Sequence, residues 1–178
     1  MPDDRAARRA LLIVYTGRGK GKTTAALGLL LRAAGRGWNV TMLQFIKAET
    51  SNYGEHRAAR RLGFELVSLG AGFTWLSENL EHDRALAQRC WSACKERLLS
   101  GEYDMVALDE FTYPLKFGWL DLDEVLATLA ARPAHVHVVI TGRDAPERLV
   151  AAADLVTEMT EIKHPYKQGV KAQPGIEF

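Results

Sequence analysis

Apolar positions along this chain fall into two alternating patterns. Short, near-continuous apolar runs recur at Leu11–Thr16, Asn39–Phe45, Phe64–Leu69, Met105–Asp109, Val136–Thr141 and Leu155–Thr160, the form of strands buried on both faces. Between them, apolar residues return every three or four positions over Thr23–Ala34, Gly54–Leu62, His82–Leu99, Leu122–Ala131 and Pro146–Ala153, the period of a helix. Asp121 stands where an N-cap belongs, and Pro146 where a first helical turn tolerates it. This alternation predicts an α/β fold: a mostly parallel sheet with helices on both faces. Ligands of such sheets bind beyond the carboxyl ends of the strands. Lys163–Phe178 breaks the pattern, lacking periodicity and carrying Pro165, Gly169, Pro174 and Gly175. It reads either as a tail laid over the site or as a frayed end.

Composition narrows the class. At 178 residues with 47% hydrophobic content, a single domain over 1–178 with a proper core is expected, preceded by a short arm over 1–10. The formal net charge of +1 shows no nucleic-acid footprint. No apolar run approaches the length of a membrane span, and the Arg-rich start lacks an apolar signal core, so a cytoplasmic protein is expected. Cys90 and Cys94 lie one helical turn apart, about 5–6 Å between Cβ atoms, too long for an unstrained disulfide. They share an i, i+4 stripe with Leu86 and Leu98, which points to core packing. The five histidines have no zinc-type spacing.

The candidate chemistry begins where the first strand ends. Gly17-Arg18-Gly19-Lys20-Gly21-Lys22-Thr23-Thr24 is a glycine-rich turn closing on Gly-Lys-Thr before a helix, the form of a phosphate-binding P-loop. Glycines allow a tight turn whose N–H groups cradle phosphate oxygens, and the following helix adds its positive end. Lys22 would reach the β- and γ-phosphates, with the Thr23 hydroxyl on Mg²⁺. Thr16 holds the place of the motif's usual first glycine. Downstream, Met105–Asp109 followed by Glu110 reads as a buried strand presenting two carboxylates, where P-loop enzymes hold Mg²⁺. Neighbours on a strand point to opposite sides, so only one of the two is expected to bind metal directly.

Two more strand ends fall on the same edge. Gly70-Ala71-Gly72-Phe73-Thr74-Trp75 sets two large aromatics beside two glycines, either as a mobile contact loop or as plugs at the core's edge. Gln44-Phe45-Ile46-Lys47 brings Lys47 to meet phosphate or a substrate carboxylate, or simply solvent. Arg57, Arg60 and Arg61 read as a solvated helix face.

Taken in order, TGRGKGKTTAALG, QFIK, GFTW, LDEFTYPL, ITGR and the closing GVKAQPGIEF resemble the P-loop type of ATP:corrinoid adenosyltransferase from the cobalamin pathway. The likeness covers Leu11 to Phe178. It implies a P-loop NTPase-like fold and transfer of the 5′-deoxyadenosyl group of ATP to the cobalt(I) of a corrinoid (cobalamin, cobinamide or a cobyrinic acid diamide), releasing triphosphate. Nothing in composition or spacing shows that reaction; a P-loop alone suggests attack at phosphorus. By resemblance, residues 17–24 with Gln44, Lys47 and Arg143 bind ATP, which lies in the loop in the reverse of the usual sense. Thr23 and Glu110 hold Mg²⁺ (or Mn²⁺). Phe73 and Trp75 match the family's aromatics that displace the lower axial ligand of cobalt.

The resemblance also implies a homodimer, with a reductant flavoprotein as partner. It is not complete. Arg18 stands where the family often has Asn, Leu76 where an acidic residue is common, and only ten residues precede the first strand where a longer helix often covers a partner subunit's site. One competing class is a small-molecule kinase or ATPase of the P-loop group, in which Asp109 or Glu110 would position a hydroxyl or water and the product would be ADP. Another is a nucleotide-regulated binding module with no transfer chemistry, which would release nothing.

Overall fold

The computed structural model describes residue 5 and residues 8–48, 52–70 and 80–177. Six strands are present, β1 (Leu12–Thr16), β2 (Val40–Ala48), β3 (Glu65–Gly70), β4 (Met105–Asp109), β5 (His137–Thr141) and β6 (Leu155–Glu158). They form one sheet in the order β3-β2-β4-β5-β1-β6, and every pair is parallel. Helices α1 (Lys22–Gly35), α2 (Gly54–Leu62), α3 (Leu80–Leu99), α4 (Thr112–Lys116), α5 (Leu122–Ala131) and α6 (Glu147–Ala152) lie between them. This is the α/β architecture expected from the alternation. Among the described residues no helix is long and apolar enough to cross a membrane.

Period-2 alternation sorts the strand residues onto two cores. Leu12, Val14, Leu43, Phe45, Val106, Leu108, Val138 and Ile140 pack with Cys90, Trp91, Cys94 and Leu98 of α3 and with α5 on one face. The intervening Ile13, Val40, Met42, Met105, Ala107 and Val139 pack beneath Ala26, Leu30 and Ala33 of α1 on the other. Cys90 and Cys94 are free and buried in the first core, as the stripe predicts. Asp121 caps α5, its carboxylate accepting from the N–H groups of Asp123 and Glu124 at 2.7 and 3.0 Å. Arg57, Arg60 and Arg61 are exposed on α2.

Two short elements escaped the periodicity. The five residues of α4, with Pro114 among them, are too few to show a 3.6 period. A single 3₁₀ turn at Pro165–Gln168 is set by His164, whose side chain accepts from the Tyr166 N–H at 3.2 Å.

Candidate active site

At the carboxyl end of β1 the chain enters the glycine-rich loop. Gly21 has φ of 118°, a conformation that a side chain would strain, and it serves as N-cap of α1. With no side chain of its own, it leaves the first-turn N–H groups of α1 to an incoming anion. Gly19 is needed for close approach: its N–H donates to Met159 O at 2.7 Å, and a Cβ there would come within 2.8 Å of the same oxygen. The segment after β6 therefore backs the loop. Thr16, in place of the usual first glycine, ends β1 and accepts from the Ala145 N–H at 3.2 Å. Lys22 is buried, only 6% exposed, and donates to Gly19 O at 2.7 Å. Its pKa is lowered by burial, the leading cause, and by Arg143, against the opposing pull of Glu110 and Asp109.

The apolar rows beneath α1 end in polar residues at this edge. Ser68 (β3), Gln44 (β2) and Asp109 (β4) stand in lateral register across three strands. Thr141 follows the Leu108–Ile140 pair on β5. Asp109 is fully buried and accepts three hydrogen bonds: at Oδ1 from Thr23 at 2.9 Å and Thr141 at 2.6 Å, at Oδ2 from Gln44 Nε2 at 3.0 Å. The acid thus grips the P-loop threonine from below. Gln44, expected to touch ATP, is instead 1% exposed, does not line the cleft, and spends its amide on Asp109.

Glu110 behaves otherwise. Its φ of 57° puts a non-glycine residue in the left-handed region, an uncommon and strained conformation. Thr141 Oγ1 holds it there by accepting the Glu110 N–H at 2.9 Å. The twist undoes the expected strand alternation: Asp109 and Glu110 serve the same edge, one under the loop and one in the cleft wall. Glu110 Oε2 is buried with no hydrogen-bond partner among the described residues, an arrangement that disfavours the ionised form. Burial first, then the neighbouring Asp109 charge, push its pKa up to about 7. An orphaned carboxylate oxygen sharing a cleft with a hydroxyl whose proton is committed elsewhere is a donor set that fits a hard divalent cation.

Around these groups opens a cleft of about 1050 Å³. Residues 18–24 form one wall, and Arg143 and Glu110 stand among the others. Lys47 reaches the cleft as its strand position predicts, but it is ion-paired with Glu55 and lies 5.1 Å from the Tyr53 ring centroid. Arg18 and Lys20 are exposed, Arg18 standing 3.8 Å from Asp144 and Lys20 3.4 Å from Glu177. His164, Tyr166, Lys167 and Gly175–Glu177 also line the cleft, so the aperiodic C-terminal stretch contributes to its wall. Phe73, Trp75 and Leu76 lie outside the described residues. Gly70, read from sequence as part of a mobile loop, ends β3: a Cβ there would come within 2.4 Å of Phe45 O, so glycine is required for the close approach of β3 to β2.

Thr141, Ser68 and His56 contribute to the site without a recognised binding motif. A shared signal marks two of them: the α1-facing stripes Leu66-Ser68, Val40-Met42-Gln44, Met105-Ala107-Asp109 and Val139-Thr141 each turn polar at the last position. His56 carries no such mark, because it comes from α2. Among the described residues no three His, Cys, Asp or Glu side chains gather as a metal nest.

Comparison with known proteins identifies the family. Residues 8–178 match the family model of ATP:corrinoid adenosyltransferase BtuR/CobO/CobP. The chain is 44% identical over 172 residues to a corrinoid adenosyltransferase of Pseudomonas aeruginosa, covering 96% of this chain and 84% of that protein. It is 44% identical over 170 residues to the corrinoid adenosyltransferase CobA of Salmonella typhimurium, covering 96% and 86%. A corrinoid adenosyltransferase of Escherichia coli is 42% identical over 170 residues, with the same coverage. The P-loop, the acidic strand end and the closing tail thus fall within one continuous match, and the chain belongs to the ATP:corrinoid adenosyltransferase family, a family of ATP-dependent transferases.

Proposed function

We propose that the cleft binds ATP with its triphosphate in the P-loop and transfers the 5′-deoxyadenosyl group to the cobalt(I) of a bound corrinoid. The observation that carries the reading is the meeting of Lys22, the α1 N-terminus, Thr23 and the unpartnered Glu110 oxygen in one cleft of a chain from this family. A cobalt–carbon bond forms as the C5′–oxygen bond breaks, and the electron pair of that bond leaves with the triphosphate. The metal of the corrinoid supplies both electrons, so no protein base is required. What the protein must supply is stabilisation of charge on a triphosphate leaving group. Lys22 and the loop N–H groups are placed for that task.

Thr23 and Glu110 would hold Mg²⁺ (or Mn²⁺). When bound, the ion neutralises charge on the triphosphate oxygens. Arg143 lines the same cleft and adds a second fixed cation. Lys47 takes part only by exchanging Glu55 for a substrate anion. A homodimer and a flavoprotein reductant, which rest on the resemblance, and a cytoplasmic location, which rests on the lack of an apolar span or signal core in the sequence, complete the reading. The test is incubation with ATP, Mg²⁺ and chemically reduced cobalamin, following the cobalt(I) spectrum together with the phosphate products. Loss of the cobalt(I) absorbance with one triphosphate per corrinoid is expected. ADP as product would assign the cleft to a kinase or ATPase instead.

Phe73 and Trp75 enter through the corrinoid. If they displace its lower axial ligand, they ease reduction to cobalt(I), a case of tuning a cofactor through its ligation. Phe73→Ala and Trp75→Ala are then expected to abolish activity from cobalt(II) corrinoid with a mild reductant, while sparing much of it when cobalt(I) is supplied preformed. The melting temperature should stay nearly unchanged. Core plugs would behave differently: truncation would cost about 3–5 kcal/mol of stability, and both assays would fall together.

A further inference from the structure

Beneath α1, the polar row that grips Thr23 does not stop at Gln44. Ser68 Oγ lies 3.1 Å from Gln44 Oε1, and His56 Nε2 lies 2.8 Å from Ser68 Oγ. At the far end the Tyr53 N–H reaches His56 Nδ1 at 3.2 Å. His56, Ser68, Gln44 and Asp109 are all buried. A buried polar chain of this kind is held together only if every donor meets an acceptor.

Its proton directions are set from both ends. The Asp109 carboxylate can only accept, so Gln44 must turn its NH₂ group toward it and its carbonyl toward Ser68. Ser68 must then donate to that carbonyl, which leaves its oxygen to accept from His56 Nε2–H. At the other end, the Tyr53 N–H needs a bare Nδ1, which demands the same tautomer. Both ends agree. The chain runs one way, His56 to Ser68 to Gln44 to Asp109, and its last member accepts the hydroxyl protons of Thr23 and Thr141.

The consequence falls on the hydroxyl at the P-loop. With its proton committed to Asp109, Thr23 can present only lone pairs to the cleft. A Gln44 amide turned over would set its carbonyl against the carboxylate, and Asp109 would shift or rotate away from Thr23. We infer that Ser68 and His56 are positioning residues for the cation–ATP complex: acting through Gln44 and Asp109, they hold the Thr23 hydroxyl with its lone pairs toward the metal side of the cleft. This rests on the proposed role of Thr23 in holding Mg²⁺.

The test measures ATP binding by titration calorimetry without corrinoid, in Mg²⁺ and in EDTA. In Ser68→Ala, the Kd for ATP in Mg²⁺ is expected to rise roughly two- to tenfold, the worth of a single hydrogen bond. The Kd in EDTA should stay at the parent value, and Ser68→Thr, which keeps the hydroxyl, should restore the Mg²⁺ value. Equal weakening in both conditions, or none in either, would overturn the inference. A parent protein that bound ATP equally with and without Mg²⁺ would instead remove the metal reading on which it rests. Should Ser68→Ala fail to fold, the parent still decides: long-range ¹H–¹⁵N correlation must show His56 with Nε2 protonated and Nδ1 bare. The opposite tautomer would overturn the chain's direction and the inference with it.

Discussion

Lys22→Ala is expected to lower the rate of adenosyl transfer by about a hundredfold or more, the scale on which a single preorganised charge-stabilising group acts. The triphosphate gathers charge as the C5′–oxygen bond breaks, and Lys22 is the buried cation that the P-loop itself supplies. The folded protein should not suffer from the change. Burial already lowers the Lys22 pKa, which means that its ammonium is costly to keep without an anion. Its hydrogen bond to Gly19 O answers only one of three donor positions. Removing it relieves that cost, so the melting temperature of the ligand-free variant should match or exceed the parent's. Affinity for ATP should fall together with turnover. A variant that used ATP as the parent does would end the P-loop reading; one that lost activity only in proportion to lost folded protein would move Lys22 from the reaction to the scaffold.

Much of this molecule was legible in the alternation of its sequence. Six strands stand where the apolar runs place them, and five helices fall between, because a sheet covered on both faces writes its burial directly into composition; β6, read as buried, is instead an exposed edge strand. The phosphate loop was legible for a different reason: turn geometry and close approach leave glycine little freedom to be replaced, as Gly21 and Gly19 show. What escaped was lateral. The resemblance implies Gln44 as an ATP contact, yet a motif match says nothing about which neighbour a side chain meets. Its register with Asp109 on one side and Ser68 on the other decides its role. Glu110 was legible as a carboxylate at the strand end, but the direction it takes was not, because its backbone leaves the strand conformation. Alternation predicts opposite faces for adjacent residues, and only the left-handed turn at Glu110 brings both acids to one edge. Lys47 lines the cleft at the end of its strand, but its ion-pair partner Glu55 belongs to α2, which the strand pattern does not reveal.

Glu110→Gln is expected to separate metal from nucleotide, and pH should show how. In the metal-free protein, the Glu110 pKa of about 7 lies above the ordinary glutamate value of 4.5. The folded state therefore holds a proton that the unfolded chain gives up, so stability falls as pH rises between these two values. The gap corresponds to about 3 kcal/mol once both states are ionised. Glutamine keeps the shape and carries no charge to desolvate. The ligand-free variant should then be more stable than the parent at pH 8, close to it at pH 5, and flatter across the window in thermal melts. Mg²⁺ with ATP reverses the order. Cation binding favours the ionised carboxylate, so the parent should release about half a proton per site at pH 7, visible as a buffer-dependent heat of binding; the variant should release none from this site. Turnover of the variant should drop about a hundredfold, within the several kcal/mol that metal charge stabilisation supplies, while ATP affinity in EDTA stays at the parent value. Asp109→Asn provides the contrast. It should weaken the grip on Thr23 and flatten the pH profile only in part, because burial of Glu110, the larger cause of its raised pKa, remains when the Asp109 charge is gone. If Glu110→Gln turned over normally while Asp109→Asn was inactive, the direct metal ligand would be Asp109, and the unpartnered Glu110 oxygen would need another explanation.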